Sequence, residues 1–88
     1  MNLEHEIFEG TPEEKWLEVI FHASAHLASA ELLYLLERLA LMESLLTEYD
    51  PLWESKLETH KNALGAQLLQ KTRSLALEST GRILSNSE

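Results

Sequence analysis

Between Phe21 and Tyr49 the apolar residues fall in alternating steps of four and three: Phe21, Ala25, Ala28, Leu32, Leu35, Leu39, Met42, Leu46 and Tyr49. That spacing puts them on one face of an α-helix, in the manner of a coiled-coil seam. A second stripe follows in Trp53, Leu57, His60, Leu64, Leu68 and Leu75, where Trp53, Leu64 and Leu75 stand eleven apart, close to three whole turns. The pattern predicts two long helices and no strand.

Their ends are marked by capping chemistry. Thr11-Pro12-Glu13-Glu14 combines a capping hydroxyl, a proline at the first helical position and a glutamate placed for a capping box, so a helix starts at residue 12. Asp50-Pro51 repeats the same grammar, ending the first helix near Tyr49 and starting the next at once. Thr80-Gly81 offers a left-handed C-cap, which stops the second helix near Ser79. The expected organisation is an N-terminal arm or short helical turn over 1–10, a helical hairpin domain over 11–81 and a polar C-terminal tail over 82–88, or a frayed extra turn there.

Folded back around Asp50-Pro51, the hairpin sets Leu46 against Leu57, Met42 against His60, Leu39 against Leu64 and Leu35 against Leu68. The same register brings Glu48 to Lys56, Glu43 to Lys61, Glu31 to Arg73 and Glu18 to Arg82. Leu33, Tyr34, Leu36, Ala40, Leu41 and Leu45 lie off this seam and form a belt that one partner helix cannot cover. Burying the belt against a second copy gives a four-helix bundle. The expected fold is therefore all-α, an antiparallel hairpin of two long helices that dimerises. The alternative is a monomeric three-helix bundle with a break in Ala23–Ala30, where Ser24 or Ser29 recaps the chain.

Composition narrows the function. With 88 residues the chain is one small domain that hides only about 60–65% of its unfolded surface, which favours a partner. Three Gly and two Pro leave too few turns for a β-sandwich or doubly wound α/β fold. No Cys means no disulfide, thiolate metal site or cysteine nucleophile. A net charge of −8 argues against nucleic acid and anionic membranes as partners. The charge is also polarised: residues 1–50 hold eleven acids and two bases, net −9, and residues 51–88 hold four acids and five bases, net +1. The longest apolar run, Leu32–Leu36, is too short to span a bilayer, and no signal-peptide pattern opens the chain, so the expected location is cytoplasmic.

Glu18, His22 and His26, at i, i+4 and i+8 on one side of a continuous helix, form the candidate metal ladder. No second ligand cluster accompanies them, and the main expectation is no metal and no cofactor. His60 stands in the seam with no nucleophile or carboxylate to work with. The small residues Ala23, Ser24, Ala25, Ala28, Ser29 and Ala30 mark a tight helix crossing. Trp16, near the open end of the hairpin, is a core plug or a partner anchor. No phosphate loop, nucleophile elbow, paired-carboxylate cleft or calcium loop is present, so the chain is not expected to be an enzyme. The expected function is a non-catalytic protein–protein interaction module, acting as an adaptor, co-chaperone or inhibitor in the form of an acidic helical homodimer. Its interface residues are the belt, Leu33, Tyr34, Leu36, Ala40, Leu41 and Leu45, together with Trp16. One alternative is a metal- or ligand-binding bundle using Glu18, His22 and His26. Another is an acidic inhibitor of a nucleic-acid-handling protein, built on Glu4, Glu6, Glu9, Glu13, Glu14 and Glu18.

Overall fold

The computed structural model describes residues 10–86. Four helices follow one another: α1 (Pro12–His22), α2 (Ala25–Tyr49), α3 (Trp53–Leu64) and α4 (Ala66–Ser85), with no strand among the described residues. The all-helical prediction holds. Each of the two long helices predicted from the sequence, however, is broken once. The arm or turn expected over 1–10 lies outside the described residues, apart from Gly10.

The first helix starts as its sequence dictates. Thr11 Oγ1 accepts from the Glu14 amide at 3.2 Å, Pro12 occupies the first turn, and Glu13 and Glu14 face the positive end of the helix dipole. It stops at Ala23, whose extended backbone (φ −72°, ψ 160°) turns the chain out after one last bond to Val19 O. Ser24 then recaps it, its hydroxyl accepting from the Leu27 amide at 3.2 Å. The seam residues Phe21 and Ala25 thus belong to different helices. This is the Ser24 recapping of the alternative reading, inside a four-helix fold rather than a three-helix one.

The Asp50-Pro51 corner is closely tied. Asp50 accepts from the Leu52 amide at 3.1 Å and from Lys56 Nζ at 2.7 Å, and the Trp53 indole donates to Thr47 Oγ1 at 2.8 Å. The next break was not expected. Gly65 adopts φ 54°, ψ −126°, a conformation that L side chains rarely take, and it bends the chain between α3 and α4. The stop expected at Thr80-Gly81 does not occur; Gly81 is helical and α4 runs on to Ser85.

These two breaks change the packing. Glu13 meets Arg73 and Trp16 meets Ser79, so residue numbers rise together and α1 runs parallel to α4. The start of α2 then crosses the end of α4, where Glu31 meets Ser79 and Arg82. The expected register is corrected: Glu31 pairs with Arg82 rather than Arg73, Arg73 pairs with Glu13, and Lys56 pairs with Asp50. Glu31 lies 19 residues before Asp50 whereas Arg82 lies 31 after Pro51, so the returning limb is 12 residues longer than the outgoing one. At 1.5 Å per residue that surplus is about 18 Å, and a limb that long cannot lie straight beside α2.

The outcome is a flat molecule, its Cα atoms spanning 46 × 31 × 15 Å, which leaves room for two helix layers at most. Among the described residues the buried apolar ones are Ala76 and Ile83, joined by Glu31, Ser79 and Thr80, all at the junction of α1, α2 and α4. Along the outer part of α2 and along α3 the hairpin seam is open: Leu39 is 48% exposed, Leu46 44% and Leu57 54%. Among the described residues, no helix is long and apolar enough to cross a membrane.

Candidate functional site

In α4 the residues Ala76, Ser79, Thr80 and Ile83 follow steps of three, one and three, so they share one face, and it is this face that α1 and α2 cover. Two of the four are hydroxyl residues, and the junction is organised by polar contacts. Glu31, 6% exposed, is its centre.

The Ser79 hydroxyl donates to Glu31 Oε2 at 2.5 Å and accepts from the Trp16 indole N–H at 2.7 Å, so one side chain joins all three helices. Arg82 donates to the same carboxylate from Nε at 3.1 Å and from Nη2 at 2.7 Å. Its guanidinium carbon also lies 4.7 Å from the centroid of the Tyr34 ring, which holds the planar group on its open side. Thr80 Oγ1 is buried with no hydrogen-bond partner.

Burial pushes the Glu31 carboxyl up, but hydrogen bonds from Arg82 and Ser79 and the charge of Arg82 together outweigh it and hold the group below the ordinary carboxylate range. The hydrogen bond to Glu31 raises Arg82 in turn, against a smaller opposing effect of its own burial. Glu31 is therefore ionised at neutral pH and works as an acceptor. Ser79 has both its donor and its acceptor function engaged, and is 3% exposed, so it is a structural bridge rather than a nucleophile.

Beside this network, between the start of α2 and the end of α4, lies a cavity of ≈ 480 Å³. Leu27, Ala30 and Ile83 form its apolar lining, with His26, Tyr34, Arg82 and Asn86 among its polar groups.

The Ala23–Ser24 break divides the candidate metal ladder. Glu18 and His22 remain on α1 while His26 begins α2 and lines the cavity, and no group of three His, Asp or Glu residues suited to a metal ion occurs among the described residues. His60 is exposed on α3. Trp16 is half-buried and bonded to Ser79, which makes it an internal tie between α1 and α4. The belt residues Leu33, Tyr34, Leu36, Ala40, Leu41 and Leu45 are all exposed. Sequence reasoning missed Glu31, Ser79 and Arg82 as a unit. The signal was present in the spacing of Ala76, Ser79, Thr80 and Ile83, but a helix stopped at Ser79 conceals it.

These features define a small all-helical protein whose helices are joined by a buried carboxylate and whose longest helix is largely uncovered. The chain belongs to the DUF2018 family, a domain of unknown function, whose sequence model matches residues 8–88. No curated protein and no solved structure matches it.

Proposed function

We propose that this protein is a non-catalytic protein–protein interaction module that works as an acidic helical homodimer, serving as adaptor, co-chaperone or inhibitor in the cytoplasm. The observation that carries the reading is the exposure of α2 on more than one side. Leu41 is 65% exposed and Leu45 54%, and at 100° per residue they stand about 100° to 160° around the helix from Leu39 and Leu46, which are open too. A helix apolar on two sides belongs inside a bundle. A single chain two layers thick supplies no second wall, and a second copy brings an identical apolar face. The interface of this reading is the belt of Leu33, Tyr34, Leu36, Ala40, Leu41 and Leu45, extended by the open seam. Trp16, engaged with Ser79, drops out of it.

Sedimentation equilibrium of the full chain tests the reading. The expected result is a species of twice 10.0 kDa at tens of micromolar. A clean monomer throughout that range overturns it.

A further inference from the structure

We infer that Gly65 and the Glu31–Arg82 pair form one coupled device, a hinge and a latch, in which release of the latch lets α3 and α4 straighten into a single helix. The bend at Gly65 has no local cause. Its backbone conformation, φ 54° and ψ −126°, is one that L side chains rarely take, yet beyond its chain neighbours no atom lies within 4 Å of where a Cβ would stand, so packing at the bend does not demand the missing side chain. The flanking residues, Lys61 to Leu68, are mostly good helix formers, and α4 starts without a side-chain cap. Straight helix would aim the amides of Ala66 and Gln67 at the carbonyls of Asn62 and Ala63. Local preference therefore opposes the bend.

The cause lies at the two ends of the frame. At the far corner, α3 is tied to α2 through Lys56 with Asp50 and Trp53 with Thr47. At the near junction, α4 is tied to α2 through Arg82 and Ser79 with Glu31. Between these ties the returning limb is 12 residues the longer, so it must bow, and it does so at Gly65, the one glycine between Lys56 and Ser79. No residue of α3 is buried, so little else holds that limb in place. Between α2 and α4 that tie is a single buried carboxylate, the kind of contact that is lost all at once when one group changes, while α4 is held to α1 separately, by Arg73 with Glu13 and by Trp16 with Ser79. Opened, the frame moves α3 away from α2 and leaves the half-exposed Leu39, Leu46 and Leu57 more accessible. That use of the device rests on the proposed interaction function; the hinge itself does not.

The absence of cysteine makes a clean distance measurement possible. Spin labels at Glu58→Cys on α3 and Ser74→Cys on α4, diluted with unlabelled chain so that only intramolecular distances are read, report the bend. One straight helix sets these two Cα atoms about 24 Å apart, and the bent form sets them closer. Gly65→Ala and Glu31→Gln are each expected to shift the distribution toward about 24 Å, with helix content by circular dichroism retained or increased. As the reciprocal readout, Gly65→Ala is expected to speed solvent exchange of the Trp16 indole N–H at least about fivefold, the factor that corresponds to the ~1 kcal/mol by which alanine favours helix over glycine. Movement by Gly65→Ala alone, with Trp16 exchange unchanged, overturns the coupling, and no movement in either variant overturns the hinge. Should Glu31→Gln lose its helices, the Gly65→Ala distance and the Trp16 exchange decide by themselves. A monomer by sedimentation would overturn the dimer and leave these distances unaffected.

Discussion

Arg82 grips Glu31 through Nε and Nη2 while its guanidinium lies against the Tyr34 ring, so one side chain at the end of α4 fastens two successive turns of α2. A short carboxylate is placed here where a small protein would ordinarily bury leucine. Such a contact is unforgiving, because removing one partner strands the others in a site that water reaches poorly.

Replacing Glu31 with Ala should therefore destabilise the chain by about 2 kcal/mol, a value kept modest because Arg82 retains partial access to water. Urea denaturation followed by circular dichroism measures it. A loss below about 0.5 kcal/mol would show that the junction does not depend on the carboxylate.

The same group sets an acid limit. Glu31 titrates below the ordinary glutamate value of 4.5 in the folded protein, so the unfolded chain takes up the proton first, and stability falls as pH drops. The contribution is complete at neutral pH, starts to decline near the unfolded value of 4.5 and is gone once pH passes below the folded one. Thermal melts between pH 7 and pH 3 should show this decline in the wild type and a smaller one in Glu31→Gln. Equal slopes would remove Glu31 as its source.

Leu36 and Leu39 differ in the hairpin expected from sequence, one on the belt and one in the seam, yet in the structure they are 61% and 48% exposed. Leu36→Glu and Leu39→Glu are both expected to abolish the dimer while leaving helix content within about 10% of the wild type, since neither puts a charge into the core of a single chain. Sedimentation and circular dichroism on the two variants provide the check. Global unfolding of Leu39→Glu alone would restore the closed hairpin.

Ser24 caps α2 at the break, and Ser24→Ala should cost about 1 kcal/mol through loss of the bond from the Leu27 amide. Ser29→Ala, on an exposed helical position with no capping role, serves as the control and should cost less than about 0.5 kcal/mol. Comparable losses in the two variants would mean that the cap does not stabilise the break.

The sequence by itself determined what short-range chemistry determines. The periodicity from Leu32 to Tyr49 made α2 a helix, Thr11-Pro12 began α1, and Asp50-Pro51 turned the chain, because capping and helical spacing act within a few residues. Serine at 24 was legible as a possible cap, and the belt from Leu33 to Leu45 was legible as apolar. Which of two compatible registers the limbs adopt was not. The sequence set Glu31 opposite Arg73 and left Arg82 beyond the expected helix end, and surface charge pairs are too weak to fix a register. The tertiary structure decided it by bending at Gly65 and carrying α4 past Gly81, which brought Ser79, Arg82 and Ile83 together on the face that Glu31 and Trp16 meet. That choice depends on limb lengths between residues some fifty positions apart, a long-range constraint that no local pattern along the chain records.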